Sequence, residues 1–416
     1  MSEATISQAT HLDQGLTQQT RADQNQAARN FLAELTPTSG EHSNLPGAQV
    51  EQTPHSYIQP EVLENLAKLH PEKANKYLRT LDHPPKMEIP LAPHTHGDEP
   101  KGPRQVFDAK QQLDLPGDLV RSEGEPKSGN AAVDTVYDLT GTVRDFYKVN
   151  YGRNSIDNHG MTMVSTVNFT DQPGQPMLNA FWNGQQMAYG TPSEDDPIKT
   201  FLLLDIAGHE ITHGISQLEA NLGGWGQAGA LNESNSDVFG EQMKQWKEGL
   251  TSDQGRWIGG EGFWKPGEGI RRGLRDLKDP GNAFDAPDIG KDNAPASMSQ
   301  YEATRQDCGG VHANSQIPTS AFAHFAIELA KEHPDDDNKR FSYKEPGHIW
   351  FAARKDAGHN PSFAEMAFHT IDEAKKMGFA DDVPVLEKAW KDVGVTPAAQ
   401  APDKDTPTPI DQRCSP

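Results

Sequence analysis

The amino-acid sequence predicts an α+β fold in which a region containing a β-sheet precedes a mainly helical region. Residues 161–169 and 179–190 are rich in β-branched or aromatic residues, which favour strands. From Phe201 onward, apolar residues recur at helical spacing in successive stretches. The chain has 416 residues. Because a single hydrophobic core stops growing at about 250–300 residues, more than one folding unit is expected.

Three segments have compositions that do not favour a packed core. Residues 1–54 are polar and poor in aromatic residues, so they would bury too little apolar surface to offset the entropy of ordering. Residues 83–103 contain too many prolines for an interior element and predict an extended linker that proteases can reach. Residues 396–416 are rich in proline and polar residues. We therefore expect a disordered N-terminal extension, an exposed linker and a disordered tail.

A short helical segment lies between the extension and the linker, in residues 55–82. Leu63, Leu66 and Leu69 recur there at helical spacing. Pro71 can open a second helix, because proline is tolerated in the first turn. The segment is predicted to form a helical hairpin.

The sheet region, residues 104–197, is predicted to be antiparallel. The dipeptide Asn183-Gly184 lies inside the strand-like stretch 179–190, and Asn-Gly favours the tight turn of a hairpin. A hairpin joins antiparallel neighbours, so this dipeptide is the main reason for the prediction.

The charge of the chain argues against two classes of partner. Its 60 acidic residues outnumber its 38 basic ones and give a net charge of −22. Such a chain repels nucleic acid and anionic membrane surfaces, so neither is expected as a partner. No stretch approaches the roughly 18 apolar residues of a membrane span. The first residues lack the basic and apolar regions of a secretory signal peptide, so we expect a cytoplasmic precursor or non-standard export.

The cysteine content limits the covalent bonds available. Cys308 and Cys414 are the two cysteines of the chain. They can form at most one disulfide, which would tie the tail to the body of the protein. We expect two free thiols.

A metal-binding motif opens the helical region. His209-Glu210-Ile211-Thr212-His213 has the form H-E-x-x-H within an apolar helical stretch. Histidines four residues apart lie on one face of a helix, where they can share a metal ion. The competing interpretation is that two surface histidines fall at this spacing by chance.

A third ligand follows on a second predicted helix. Glu233 lies 20 residues after His213, and a catalytic zinc ion takes three protein ligands and leaves a fourth position for water. Asp237 lies one helical turn beyond Glu233 and can fix the tautomer of a ligand histidine, although a surface aspartate is the competing interpretation. We predict one catalytic zinc ion, with Glu210 as the general base.

Four motifs together resemble the thermolysin family of neutral zinc metallopeptidases. In chain order they are NAFWNGQQMAYG from Asn179, HEITH from His209, GALNESNSD from Gly229 and DCGGVHANS from Asp307. The resemblance runs from Arg104 to about Val395. It implies a two-lobed fold with a mixed β-sheet in the N-terminal lobe, residues 104–215, and a mainly α-helical C-terminal lobe, residues 216–395. The zinc helix lies between the lobes.

The helical segment resembles the short propeptide of the protealysin branch of this family. The resemblance implies a precursor, or zymogen, in which residues 55–82 inhibit the catalytic part. The linker, residues 83–103, is then the processing zone. Secretion from a bacterium and a monomeric state are also expected.

The resemblance implies how a peptide substrate is bound. Asn179 and the carbonyl group of Ala180 would pair with the substrate main chain, as an edge strand pairs with an added strand. Arg275 would bind a substrate carbonyl beside the cleaved bond. Ile206 and Leu274 would line a hydrophobic pocket just after that bond, with a preference for Leu, Phe or Ile.

The resemblance also implies an oxyanion site, and here the sequence departs from the family. His312 would stabilise the oxyanion, and Asp307 would orient it. Gly224, followed by Trp225, stands where the family usually has a tyrosine that assists the oxyanion. Cys308 stands where asparagine is usual. His312 is therefore expected to provide most of the stabilisation.

A second departure concerns calcium. Asp205 matches a calcium ligand of the family, but Lys244 occupies the place of a partner acidic residue. A lysine ammonium could neutralise Asp205 instead of the ion. The paired calcium site is expected to be absent or degraded.

The sequence therefore predicts a zinc-dependent endopeptidase that acts on peptide or protein substrates. One alternative is a catalytically weak or inactive binding or inhibitory protein with the same fold, because Gly224 and Cys308 depart from the pattern. Another is a zinc hydrolase for other substrates, which the NAFW motif disfavours.

Overall fold

The computed structural model describes residues 57–82, 103–220 and 222–399. The predicted extension (1–54), residues 55–56 of the helical segment, residues 83–102 of the linker, residue 221 and the tail from residue 400 lie outside the described residues. In the ranges that are described, no helix is long and apolar enough to cross a membrane.

The segment before the linker forms two helices. They are α1 (Pro60–Leu69) and α2 (Ala74–Asp82), joined by the 3₁₀ turn Pro71–Lys73. Each prolyl residue stands in the first turn of its element, where its missing N–H costs nothing. Val62, Leu63 and Leu66 give α1 a fully buried face.

A five-stranded mixed sheet forms the N-terminal lobe. Its strands are β1 (Arg104–Asp108), β2 (Asp118–Ser122), β3 (Met163–Val167), β4 (Ala180–Trp182) and β5 (Met187–Tyr189), in the order β2-β1-β3-β5-β4. The outer pairs are antiparallel, but β1 and β5 both run parallel to β3. The antiparallel prediction is wrong for the centre of the sheet. The helix α3 (Ala131–Tyr151) supplies the long connection that parallel neighbours require.

Two long helices carry the candidate metal ligands, α4 (Leu204–Glu219) and α5 (Gly226–Glu248). Two glycines allow them to pack closely. A Cβ at Gly240 would lie 2.7 Å from the carbonyl oxygen of Asp205, and one at Gly208 would lie 2.4 Å from the sulfur of Met243. This close approach brings side chains of both helices to one site.

Short strands and further helices complete the C-terminal lobe. The strands are β6 (Ile258–Gly259), β7 (Ile270–Arg271), β8 (Arg275–Asp276), β9 (Phe284–Ala286) and β10 (Gly290–Lys291). The helices are α6 (Asp307–Asn314), α7 (Gln316–Glu332), α8 (Asp337–Arg340), α9 (Glu345–Asp356), α10 (Phe363–Lys376) and α11 (Val383–Asp392).

The apolar core contains two large clusters. One large cluster joins α1, the sheet and α4. The other joins the C-terminal helices, where the indoles of Trp350 and Trp390 stack with centroids 5.4 Å apart. The two-lobed α+β architecture is confirmed, and α4 begins the transition between the lobes.

Candidate zinc site and substrate cleft

The three predicted metal ligands lie together at the contact of α4 and α5. The Nε2 atoms of His209 and His213 are 3.0 Å apart. Glu233 approaches them with its carboxylate oxygens at 3.2 Å and 3.5 Å. All three side chains are buried. The helical spacing of the histidines and the facing carboxylate of α5 thus produce the cluster that the motif predicts.

The donor set fits a zinc ion. Bonds of about 2.0–2.1 Å to a tetrahedral zinc ion place neighbouring ligand atoms roughly 3.3 Å apart, which agrees with the separations here. In the described ranges, these three residues are also the one group of three or more His, Cys, Asp or Glu side chains close enough to share an ion.

Polar neighbours orient both imidazoles. Nδ1 of His209 lies 2.8 Å from Oδ1 of Asp237. Asp237 also accepts hydrogen bonds from Arg275, at 2.7 Å, and from Gln316, at 3.0 Å. Nδ1 of His213 lies 3.2 Å from both Asn232 and Ser236. Partners at Nδ1 leave Nε2 of each ring directed at the metal position.

The charges around Asp237 favour its ionised form. Burial alone would raise the pKa of this carboxyl group, but Arg275 and His209 lower the pKa to about 2. Asp237 therefore stays an anion that can hold His209 in place. The sequence motif pointed to Asp237, whereas Gln316 was missed because it lies 79 residues further along the chain.

Glu210 lies beside the ligand set, one residue after His209. Its Oε2 accepts the backbone N–H of Trp182 in β4 at 2.9 Å, and the side chain is fully buried. Burial raises the pKa of Glu210 to about 8 in the metal-free protein. The hydrogen bond fixes the carboxylate between the zinc helix and the edge of the sheet.

His312 and Asp307 form the predicted pair. Nδ1 of His312 lies 2.6 Å from Oδ1 of Asp307, and the other oxygen accepts the backbone N–H of His312 at 2.9 Å. Nε2 of His312 lies 3.6 Å from Glu233. Burial opposes the charged ring, but Asp307 and Glu233 raise the pKa of His312 to about 10. These two carboxylates favour a positive charge on the ring, and its Nε2 faces Glu233 of the ligand set.

The turn before His312 has an unusual backbone. Asp307, Cys308, Gly309 and Gly310 all have positive φ angles, which only glycine adopts at little cost. A Cβ at Gly309 would lie 3.0 Å from the backbone of Gly226 and 3.4 Å from the indole nitrogen of Trp225. Trp225 therefore packs on this turn. Its contribution to an oxyanion site stays a prediction.

The prediction of free thiols is wrong. Cys308 is disulfide-bonded, and no cysteine among the described residues is free. The chain has one other cysteine, Cys414, which lies outside the described residues. The sequence allowed at most one disulfide, and residue spacing could not decide between that bond and free thiols.

Lys244 occupies the position expected for a metal-binding carboxylate. Its ammonium group lies 2.9 Å from Glu241 and 3.4 Å from Asp205, and it donates to the carbonyl oxygen of Ile258 at 2.5 Å. Asp205 also accepts the N–H of Gly260 at 2.8 Å. The expected neighbour Asp205 is present, whereas Glu241 and Ile258 were not foreseen.

Tyr57 lies in the cleft beside the candidate metal site, which the sequence analysis did not foresee. Its N–H donates to the carbonyl oxygen of Ala180 at 3.3 Å, and its own carbonyl accepts from Arg275 at 2.9 Å. Its ring stands edge-on to His209, with centroids 5.0 Å apart, and is fully buried. The one signal in the sequence was an aromatic residue, Tyr57, in the short stretch before the helix that begins at Pro60.

The side chain of Tyr57 enters an apolar pocket. It belongs to the same buried cluster as Ile206 and Leu274, the two predicted pocket residues. Cβ atoms at Gly259 and Gly260 would lie 3.5 Å and 3.4 Å from its hydroxyl oxygen. The two glycines therefore lie near the phenol hydroxyl at the end of the pocket.

Asn179 lies next to this position, just before β4. Its side-chain oxygen accepts the N–H of Ala180 at 2.9 Å. Because β4 is an edge strand of the sheet, its outer side can accept an added peptide. Ala180 and Arg275 thus bind the main chain of Tyr57 from two sides of the cleft.

Helix α2 is held on the N-terminal lobe by charged contacts. Lys76 pairs with Asp196, and the Tyr77 hydroxyl donates to the same carboxylate at 3.3 Å. Arg79 donates to Asp171 at 3.1 Å. The propeptide-like segment is therefore attached at Tyr57 in the cleft, through the buried face of α1, and through α2 on the lobe.

Comparisons with known proteins agree with this site. Residues 94–217 match the family described as thermolysin metallopeptidase, catalytic domain, and residues 220–395 match its alpha-helical domain. An extracellular metalloprotease of Pectobacterium carotovorum is 40% identical over 308 residues, which are 73% of this chain and 84% of that protein. Protease PrtS of a Photorhabdus species is 35% identical over 311 residues, 73% of this chain and 78% of that protein.

A solved structure is also similar. The precursor of protealysin, a metalloproteinase from Serratia proteamaculans, superposes with a TM-score of 0.73 at 35% sequence identity. The match covers 82% of this chain and 100% of that one.

Proposed function

Because the chain belongs to the thermolysin family of zinc metallopeptidases and is a zinc metalloendopeptidase, we propose that it cleaves proteins before bulky apolar residues and is inhibited by its own segment 57–82. The main support is Tyr57. Its main chain is bound by Ala180 and Arg275, the two groups expected to bind a substrate, and its side chain fills the expected pocket.

Each residue near the metal position has a chemical task in this proposal. His209, His213 and Glu233 would hold a zinc ion, which when bound polarises the scissile carbonyl and lowers the pKa of water. Glu210, fixed by the N–H of Trp182, accepts a proton from the attacking water and passes it to the leaving amine. The imidazolium of His312 offers positive charge to the carbonyl oxygen as it becomes negative.

Substrate selection depends on the pocket that holds Tyr57. Ile206 and Leu274 make it apolar, and Gly259 and Gly260 lie at its end. A substrate would place its own side chain there, directly after the cleaved bond. Leu, Phe and Ile are the expected preferences, and the fit of Tyr57 supports adding tyrosine.

Inhibition follows from attachment of this segment at several points to the catalytic part of the same chain. While the linker is intact, Tyr57 and α2 bind the catalytic part intramolecularly, at a high effective concentration. Cleavage in residues 83–103 would remove that advantage and allow the segment to dissociate. The linker is thus proposed as the processing zone.

We also propose that the mature enzyme is monomeric and acts outside the cell. The support for its location is the extracellular designation of a relative that is 40% identical. The net charge of −22 repels nucleic acid and anionic membranes. Peptides and proteins are therefore the proposed partners.

A comparison of two proteins tests the proposal. One is a chain that begins at Arg104, and the other is the full-length chain with its linker made uncleavable. The shorter chain should hydrolyse casein, lose this activity with a zinc chelator and regain it with zinc. The full-length chain should be at least about tenfold less active.

Two outcomes would contradict parts of the proposal. Equal activity of both proteins would remove the inhibitory role of residues 57–82. A zinc-loaded shorter chain that is folded but cleaves no peptide would favour the alternative, a catalytically inactive binding or inhibitory protein.

A further inference from the structure

The chain passes through the cleft in a defined direction at Tyr57. Two peptide bonds flank this residue, Ser56–Tyr57 and Tyr57–Ile58. The carbonyl group of the second bond is bound by Arg275 at 2.9 Å. Arg275 is itself paired with Asp237 at 2.7 Å. The carbonyl of the Tyr57–Ile58 bond therefore accepts a hydrogen bond from Arg275, which pairs with the same Asp237 that contacts the ligand His209.

The bond on the other side of Tyr57 is placed differently. Its N–H donates to the carbonyl oxygen of Ala180 at 3.3 Å. Two residues further along β4, the N–H of Trp182 holds Glu210. The Tyr57 ring contacts His209 edge-on. The nitrogen of Tyr57 thus lies against the edge strand that also positions Glu210, and its ring lies against His209.

We propose that Ser56–Tyr57 is a cleavage site for the enzyme's own catalytic centre, separate from processing in the linker. This inference rests on the proposed function. Residues 1–56 would be removed as a leader, while residues 57–82 remain docked. The enzyme would then carry a propeptide whose first residue already occupies the pocket after the cleaved bond.

The reaction is an ordinary hydrolysis. A water oxygen adds to the carbonyl carbon of Ser56, and the C–N bond to Tyr57 breaks. One proton of the water passes through Glu210 to the nitrogen of Tyr57. The products are a carboxyl group at Ser56 and an amino group at Tyr57, and no oxidant or further reactant is needed.

The contacts of residues 57–82 explain why the segment would stay in place after this cut. The carbonyl of Tyr57 keeps its bond to Arg275, and the new amino group can still donate to Ala180. Lys76, Tyr77 and Arg79 hold α2 on the lobe independently of anything before residue 57. The first cut therefore removes the leader without activating the enzyme.

Mass spectrometry with N-terminal sequencing of the full-length protein tests this inference. The wild-type chain incubated with zinc should yield an N-terminus at Tyr57, at a rate that does not depend on protein concentration, because the bond lies in its own cleft. Tyr57→Phe should retain the cut. Tyr57→Gly should slow it by at least about tenfold, since this change removes the side chain that occupies the pocket.

Glu210→Ala provides the control, and its chain should keep residues 1–56. Hydrogen exchange in this variant gives a measurement that does not depend on activity, and the Tyr57 amide should be protected. The inference would be overturned if the Tyr57 amide is protected but the wild-type chain is cut only at the Tyr57–Ile58 bond or in the linker. A Tyr57 terminus in Glu210→Ala would overturn it too, because another protease would then make the cut.

Failure of the inference can be told apart from failure of the proposed function. If the linker-cut enzyme hydrolyses casein while Ser56–Tyr57 stays intact, the inference alone is wrong. If zinc-loaded protein cleaves neither casein nor this bond, the proposed function is wrong, and the inference falls with it.

Discussion

Two buried charged clusters lie on the same pair of helices, α4 and α5. They differ in the cation that neutralises their buried carboxylates. At one, Glu233 faces two imidazoles whose Nε2 atoms converge with it on a metal position. At the other, Asp205 and Glu241 face the ammonium group of Lys244. The first cluster takes its cation from solution, whereas the second has its cation bonded into the chain.

The zinc cluster can carry out chemistry, whereas the lysine cluster has a structural role. A metal ion is a Lewis acid with a position open to water, whereas an ammonium group offers only charge and three hydrogen bonds. Lys244 donates to Ile258, and Asp205 accepts from Gly260. The lysine cluster therefore holds the strand that closes the Tyr57 pocket. We infer that it keeps the pocket in shape without a bound ion.

The largest expected effect is a loss of turnover rate when the zinc cluster is changed. Glu210→Ala should retain about one zinc ion per chain, because Glu210 is not a ligand, while turnover of casein falls by ~10²–10⁴. Metal analysis and kinetics of the linker-cut protein measure both quantities. Activity near that of the wild type would rule out Glu210 as the general base.

At the lysine cluster the largest effect should be on stability. Lys244→Met leaves two carboxylates buried without their cation, and breaking such a pair costs about 3–5 kcal/mol. The free energy of unfolding, measured with zinc present, should fall by this order. Lys247→Met is the matched control, since Lys247 is exposed on the same helix. Equal, small losses in both variants would show that Lys244 is not a structural cation.

The two clusters differ in how far the sequence could predict them. The zinc ligands follow from a helical spacing and a facing carboxylate, so local rules were sufficient. At the lysine cluster, the sequence indicated Asp205 and Lys244 by their positions. The contact of Lys244 with the carbonyl of Ile258 depends on how a later strand packs, which no local pattern specifies.

Other features were beyond the sequence for the same reason. The bond between Arg275 and Tyr57 joins residues 218 positions apart. The parallel pairing of β1 with β3 depends on α3 lying between β2 and β3, whereas the Asn-Gly signal reports only on its own hairpin. The α+β class and its two lobes could be predicted, because periodicity and composition change along the chain.

The next largest expected effect is a loss of zinc affinity. Glu233→Gln keeps the size of the side chain but removes the anionic oxygen, so zinc affinity should fall by at least about tenfold, comparable to the ~10–100-fold losses seen when groups supporting a ligand are removed. Competition with a chelator of known affinity measures this. Glu248→Gln, an exposed change on the same helix, is the control. Unchanged zinc affinity in Glu233→Gln would require a different third ligand.

The smallest expected effect is that of calcium on the wild-type chain. A ligand that binds only the folded state stabilises it by RT ln(1 + [L]/Kd), so an intact site should raise the melting temperature as calcium is added. Here the ammonium of Lys244 already lies 2.9 Å from Glu241 and 3.4 Å from Asp205, and calcium would have to displace it. Millimolar calcium should therefore leave the melting temperature of zinc-loaded protein unchanged, with magnesium as the control for ionic strength. A rise of many degrees with calcium alone would mean that the acidic residues bind the ion despite the lysine, and the two clusters would then both depend on cations from solution.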